Sequence, residues 1–276
     1  MANKVWIGTD GNYASASNWS PSGVPVAADN VRIPAGAALI AAGLNQSAVA
    51  LGDFIVEKGC AALIGATGAY LQISCARFEF EGTGVAWIDI GSSAISPIVK
   101  TTTFAADGSF GLYLKGSAIA TLSVNDGLVG LAMRYGDTAT VNTVRVTGKK
   151  AKCVMGSGVT LTTGYTSGGT LELHCAATTV TGEGGNVTTE ETGAITTLNA
   201  NGQGTYKLNA TGTITTLNQN DSASVVDFTQ SGASRTVTTY NHHLGTRRFD
   251  KNVVTFTTDV SPTSADGPIQ ETAIAI

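Results

Sequence analysis

A five-residue segment in the second half of the chain returns twice at nearly regular spacing. Residues 195–199 read Ile-Thr-Thr-Leu-Asn, residues 214–218 repeat them nineteen positions later, and residues 237–241 read Val-Thr-Thr-Tyr-Asn after a further twenty-three. Shorter strand-like segments lie between the copies, at 204–209 and 224–228. A period near twenty residues with two short strands is typical of a β-solenoid, in which a coil buries its apolar face only by stacking on its neighbours.

The strand signal extends through the rest of the chain. Apolar residues alternate with polar or small ones, as at Phe54/Val56 and Leu112/Leu114, and this period of two places the apolar side chains on one face of a strand. Gly, Asn, Asp and Ser separate these segments, and no window of eleven or more residues has a helical period. The predicted fold is therefore all-β, a parallel β-helix-like solenoid with coils of about twenty residues.

The open ends of a β-solenoid expose unpaired strand edges unless they are capped. The first segment bears Trp and Pro, and the last has the composition of a loop before an apolar end. The predicted organisation is an N-terminal cap or anchor module over 1–35, a β-rich solenoid-like region over 36–140, a repeat-bearing solenoid over 141–245 and an extended C-terminal arm over 246–276.

Each copy of the repeat ends in an asparagine, at Asn199, Asn218 and Asn241. Stacking would place these side chains about 4.8 Å apart, close enough for their amides to hydrogen-bond along the stack as an asparagine ladder. The alternative is that each asparagine only serves a turn with positive φ. Both interpretations imply the same architecture, and the sequence leaves the choice between them open.

Charged residues are sparse. Lys and Arg number 16 and Asp and Glu number 20, a net charge of −4 with no basic stripe. Nucleic acid is therefore not an expected partner, since Lys and Arg supply most of the affinity for phosphate. No apolar run approaches the ~20 residues that span a bilayer, and the residues after Met1 lack the apolar core of a signal peptide. We expect neither a membrane partner nor a secretion signal.

The four cysteines, Cys60, Cys75, Cys153 and Cys175, show no Cys-x-x-Cys spacing. A zinc site needs clustered thiolates or imidazoles, so free buried thiols are the favoured interpretation. A disulfide between Cys60 and Cys75, or between Cys153 and Cys175, is the alternative. The histidine pair at 242–243 points to opposite sides of an extended chain. No metal site and no cofactor are predicted.

The only acidic cluster that suggests catalysis consists of Glu183, Glu190 and Glu191. A glycosidase needs two carboxylates about 5–10 Å apart across the sugar bond, but neighbouring strand residues face apart. His174 is expected to have a structural role, and the basic pair at 247–248 to lie on a solvated face or at the rim of a partner contact. Known hydrolase, metalloprotease and nucleotide-loop motifs do not occur. We predict no catalytic residue and no enzymatic activity.

The N-terminal segment carries the one family signal. Residues 5–34 contain a Trp, a Gly/Asp/Asn turn, an Asn-Trp pair, Gly-x-Pro, an Asp and a Val-x-Ile strand. This pattern resembles the opening module of β-helical structural proteins of tailed bacteriophages, of the capsid decoration or head-fibre type, and of some large bacterial surface proteins. The resemblance implies structural or anchoring roles for Trp6, Trp19, Pro25 and Asp29, consistent with the large area that Trp buries and the backbone restriction that Pro imposes.

The resemblance implies a non-enzymatic phage virion structural protein, a capsid decoration or head-fibre subunit that stabilises the shell or projects from it. By analogy the chain would be a homotrimer in the virion with capsid or other virion proteins as partners. A tail fibre or tailspike-like protein that binds the host surface or depolymerises host polysaccharide is one alternative. A fragment of a bacterial surface adhesin is the other, but it predicts export, which the N-terminus does not indicate.

Overall fold

The computed structural model describes residues 1–92, 94–102, 110–261 and, by their backbone, 270–273. The described residues contain no α-helix and one 3₁₀ turn over Ala16–Asn18. The predicted β-solenoid is confirmed, because strands of successive coils pair in parallel.

Contacts within the chain divide it into two compact units, Met1–Asn142 and Thr143–Ile276. The strands that begin in the first unit are β1 (Asn3–Trp6), β2 (Trp19–Ser20), β3 (Asn30–Ile33), β4 (Asn45–Val56), β5 (Leu71–Phe80), β6 (Ala86–Asp89), β7 (Ile98–Val99), β8 (Leu112–Val124), β9 (Leu128–Leu131) and β10 (Ala139–Val146). β1 pairs antiparallel with β2 and parallel with β3. The parallel ladder then continues from β3 through β4 and β5 to β6 and β7, both of which pair with β8.

Stacked apolar columns form the core of the first unit. Val31, Phe54 and Phe78 pair in register, and all three are fully buried. The two phenylalanine rings stack with their centroids 6.0 Å apart. Burying side chains of this size stabilises the fold by about 1.5–3 kcal/mol each.

The second unit consists of coils with two strands each. Its strands are β11 (Lys152–Met155), β12 (Val159–Thr166), β13 (Thr170–Leu173), β14 (Ala177–Gly182), β15 (Asn186–Thr189), β16 (Ile195–Ala200), β17 (Gly204–Leu208), β18 (Ile214–Gln219), β19 (Ser224–Asp227), β20 (Arg235–His242), β21 (Thr246–Phe249), β22 (Val254–Val260) and β23 (Gln270–Ala273). The odd-numbered strands form one parallel ladder. The even-numbered strands from β12 to β22 form the other.

The sequence repeat coincides with the structural register. Ile195 pairs with Ile214, and Ile214 pairs with Val237, so the three copies lie directly above one another. The apolar position inside each copy builds one core column, whose fully buried members are Val180, Leu198, Leu217 and Tyr240.

The C-terminal segment predicted as an extended arm, 246–276, differs from that prediction where the structure describes it. β21 and β22 continue the two ladders, and the backbone of β23 pairs with β21. The physical reason is the alternation in β22, where Val254 is buried and Phe256 lies 5.2 Å from the Tyr240 ring. Residues 262–269 and 274–276 lie outside the described residues.

Arg247 also differs from its predicted place on a solvated face. It occupies the core position that follows Tyr206 and Val226 in the odd-numbered ladder and is 3% exposed. Its Nη1 lies 2.6 Å from Asp259 Oδ2, and its guanidinium lies 5.1 Å from the centre of the Phe256 ring. The buried charge is thus both paired and stacked on an aromatic face.

Candidate functional site

The tryptophans of the N-terminal module form a closed aromatic cluster with Tyr13. Trp6, Tyr13 and Trp19 are each 1% exposed. The Trp19 ring lies edge-on to both others, 5.1 Å from Trp6 and 4.7 Å from Tyr13, and its Nε1 donates to the Tyr13 carbonyl at 2.8 Å. This cluster packs the segment that carries β1 and β2 into one cap.

Besides the aromatic cluster, the cap contains a second group of buried residues, Asp29 and Pro25. Asp29 is 2% exposed; its Oδ1 accepts from Ala2 N at 2.6 Å and its Oδ2 accepts from Val26 N at 3.1 Å. These backbone hydrogen bonds hold the pKa of the Asp29 carboxyl below its ordinary value. Pro25 is buried beside them. The carboxylate therefore fixes the start of the chain to the segment that leads into β3.

The three repeat asparagines hydrogen-bond along the stack. Asn218 Nδ2 donates to Asn199 Oδ1 at 2.8 Å, and Asn241 Nδ2 donates to Asn218 Oδ1 at 2.7 Å. A second contact of the same kind, from Asn220 Nδ2 to Asn201 Oδ1 at 2.8 Å, lies one residue beyond the strands. Asn201 and Asn220 are also nineteen residues apart, and this spacing is the sequence feature from which the second pair could have been predicted.

The acidic residues group differently from the predicted cluster. Glu183 is exposed in the turn after β14, and Glu191 contacts the His174 ring at 3.0 Å. Glu190 instead shares a surface with Glu172, which sits one coil earlier. Glu172 was not among the predicted acidic residues because that prediction considered only residues close together along the chain. In a solenoid, residues about one coil apart in sequence also become neighbours in space.

Glu172 and Glu190 lie in a polar groove on the outer side of β11, β13, β15 and β17. The groove has a volume of about 540 Å³, and all ten side chains that line it are polar. Four of them are charged: Lys152, Glu172, Glu190 and Lys207. The strand residues that alternate with the lining positions point inward and are buried, including Leu171, Val187 and Tyr206.

Neighbouring groups orient both carboxylates of the groove. Glu172 Oε2 lies 2.7 Å from Lys152 Nζ and its Oε1 lies 2.9 Å from His174 Nε2. Burial opposes ionisation of Glu172, but these two partners outweigh it and hold its pKa below the ordinary value. Glu190 Oε1 accepts from Asn209 Nδ2 at 2.8 Å. A glycosidase acid must be protonated before it acts, and Glu172 is held in the ionised form.

The His174 ring lies between two carboxylates, those of Glu172 and Glu191. Burial disfavours its protonated form, but hydrogen bonds to Glu172 and Glu191 outweigh that effect and raise its pKa above the ordinary 6.5. His242 and His243 do not join it, since His242 is fully buried at the end of β20 and His243 is exposed.

A smaller polar cluster lies in the first unit beside a depression of about 260 Å³. Tyr70 Oη donates to Asp137 Oδ2 at 2.5 Å, and Lys115 Nζ lies 3.4 Å from Asp137 Oδ1 and 3.7 Å from Asp89 Oδ2. The ammonium also lies 4.4 Å from the centre of the Tyr70 ring. Lys115 lies within ion-pair distance of both aspartates and offsets part of their charge, so we interpret this cluster as a structural contact that links neighbouring coils.

All four cysteines are buried free thiols. Burial raises the pKa of Cys75, Cys153 and Cys175 to about 12. In the described part of the chain no three His, Cys, Asp or Glu side chains are arranged to hold a metal ion. Within the same residues no helix has the length and apolarity needed to cross a membrane.

Comparison with known proteins adds no relative. No protein-family model, no curated protein and no solved structure matches this chain. A function for the chain must therefore be argued from the cap, the ladders and the groove.

Proposed function

We propose that this chain is a non-enzymatic structural protein of a tailed-bacteriophage virion, a capsid decoration or head-fibre subunit. The observation that supports the proposal is the organisation of residues 5–34, which carry the resemblance to such proteins. Their tryptophans, Pro25 and Asp29 are all buried in one cap. The cap continues into the solenoid, because β1 pairs in parallel with β3 and β3 with β4.

The architecture suits a structural role. In the second unit, parallel coils with apolar columns inside and asparagine contacts along one ladder form a closely packed body. In this proposal three copies associate and contact capsid or other virion proteins. Apolar area buried at those interfaces would supply the stabilisation of the shell.

Immunogold electron microscopy tests the location. An antiserum raised against the recombinant chain is applied to tailed-phage particles from cultures that carry the gene. We expect gold on the capsid surface, with particles of a phage lacking the gene as the control. Label on tail fibres only, or on the bacterial surface only, would contradict the decoration or head-fibre proposal and favour the corresponding alternative.

Light scattering coupled to size exclusion tests the oligomer. The chain mass is 28.0 kDa, so a trimer has a mass of about 84 kDa. We expect that species in dilute solution and its survival in SDS without heating. A stable monomer would contradict the head-fibre form and leave only decoration assembled on the shell.

A further inference from the structure

We infer that the polar groove on β11, β13, β15 and β17 binds a neutral oligosaccharide. This inference goes beyond the proposed function, because it assigns a ligand to a surface that a purely structural subunit would not need. It depends on the groove residues alone and does not require that the chain be part of a virion.

The register of the odd-numbered ladder repeats hydrogen-bonding groups along the groove. Thr170 pairs with Asn186, and Glu172 pairs with Thr188, which in turn pairs with Lys207. Neighbouring strands lie about 4.8 Å apart. The groove therefore presents hydroxyl, amide and charged groups on consecutive rungs, a spacing that suits a ligand with polar groups repeated along its length.

The groove contains both fixed and available groups. The carboxylates of Glu172 and Glu190 are held by protein donors at 2.7–2.9 Å. By contrast, the hydroxyls of Thr170 and Thr188 and the ammonium of Lys207 make no hydrogen bond or ion pair with another described side chain. Because the carboxylates are already held in place, a ligand that binds to them does not have to order them. The unbonded hydroxyls and ammonium are available to donate hydrogen bonds to the same ligand.

Charge and polarity select the ligand class. Two lysines and two glutamates among the lining residues balance to a formal charge of zero, so the groove has no net attraction for a polyanion or a polycation. An apolar ligand finds no matching surface, since every lining side chain is polar. Sugar hydroxyls both donate and accept hydrogen bonds, and they match this mixture of carboxylate, hydroxyl, amide and ammonium groups.

The test uses the labelled full-length chain on an array of neutral and anionic bacterial-surface oligosaccharides. The best neutral binder is then titrated by calorimetry to about 10 mM, a range that reveals even millimolar affinity. We expect a neutral oligosaccharide to bind. Absence of neutral binders, or preference for anionic ones, would overturn the inference.

Two variants locate the binding. Thr188→Val removes an available hydroxyl without changing side-chain shape, and Lys207→Ala removes the ammonium; we expect each to weaken binding at least tenfold. The control is Thr196→Val, an exposed residue of β16 that does not line the groove. Melting temperatures verify that all three variants fold. Unchanged binding by both groove variants, or equal loss in Thr196→Val, would place the ligand elsewhere and overturn the inference.

Discussion

Asn218 lies between two other asparagines and bonds to both: its Nδ2 donates to Asn199 Oδ1 at 2.8 Å, and its Oδ1 accepts from Asn241 Nδ2 at 2.7 Å. The contact couples three consecutive even-numbered strands, β16, β18 and β20. Because the sequence separations are nineteen and twenty-three residues, each bond links one coil to the next. The ladder therefore stabilises the stacking of coils.

Asn218→Ala should remove two ladder bonds, whereas Asn241→Ala should remove one. Since a hydrogen bond contributes about 1 kcal/mol net, we expect losses of about 2 and about 1 kcal/mol respectively in the free energy of unfolding. Urea unfolding followed by far-ultraviolet circular dichroism measures both. Equal effects of the two substitutions would show that the middle asparagine is not bonded on both sides.

Gly204→Ala should destabilise the second unit through a backbone clash. A Cβ at Gly204 would lie 2.1 Å from the carbonyl oxygen of Gly185, which belongs to the preceding coil. The atom that the new Cβ would meet belongs to the main chain of the stacked coil, which cannot rotate away as a side chain can, so relief requires the coils to separate. We expect a loss of about 1–3 kcal/mol, measured by the urea midpoint.

Gly232→Ala is the matched control for that substitution. Apart from Gly232 itself and its two chain neighbours, no residue has a heavy atom within 4 Å of a Cβ built there, so we expect a change within about 0.5 kcal/mol. If Gly204→Ala proved equally neutral, the close approach of consecutive coils at this corner would be incorrect.

The sequence repeat determines how much of the fold could be predicted. The copies at 195–199, 214–218 and 237–241 align by residue identity alone, so the coil register could be predicted. The approach of Gly204 to Gly185 could not, since glycine also marks ordinary turns. The burial of a position could be predicted from its residue type only where the residues paired with it on neighbouring coils are also apolar.

Arg247 and Glu172 show why the rest was missed. An arginine in a basic pair is usually solvated, and only the stacked register shows that Arg247 follows Val226 in the core. Glu172 and Glu190 are eighteen residues apart and become neighbours only once the coil period is applied. Side-chain clusters in a solenoid thus depend on the coil length at each turn, which varies from coil to coil.

His174 should make stability depend on pH. Its folded-state pKa is raised above 6.5 because its hydrogen bonds to Glu172 and Glu191 outweigh the effect of burial, which lowers the pKa. The nearby cation is Lys152, which forms an ion pair with Glu172. The folded protein therefore binds this proton more tightly than the unfolded chain does. The resulting stabilisation is complete below pH 6.5 and is lost as the pH rises through the raised pKa.

Urea unfolding from about pH 6 to about pH 8 measures this effect. We expect the wild-type free energy of unfolding to fall across the interval and that of His174→Gln to fall less. An NMR titration of the His174 ring gives the folded pKa directly. A value at or below 6.5 would contradict the contact of the imidazole with both carboxylates.

The buried thiols should be unreactive in the native protein. Cys153 and Cys75 are 0% and 4% exposed, and burial raises the pKa of each to about 12. Because the thiolate is the reactive form, we expect no fast reaction with Ellman's reagent at about pH 8 and four reactive thiols after denaturation. Fewer than four after denaturation without reductant would reveal a disulfide.

Trp19→Ala should open the N-terminal cap. The substitution removes a fully buried ring and the hydrogen bond to the Tyr13 carbonyl, and such truncations destabilise by about 3–5 kcal/mol. β1 covers β3 by parallel pairing, so loss of the cluster should free the edge of β3 for pairing with other chains. We expect faster amide exchange in β1 and β3 and a higher scattered mass.

Trp19→Phe separates the two causes. It keeps an aromatic ring against Trp6 but removes the indole donor, so we expect a smaller loss, about 1–2 kcal/mol, and little aggregation. Amide exchange in the repeat strands β16 and β18 serves as the internal control and should not change in either variant. If Trp19→Ala raised exchange in β16 and β18 as much as in β3, the cap would stabilise the whole chain rather than protect its first strand edge.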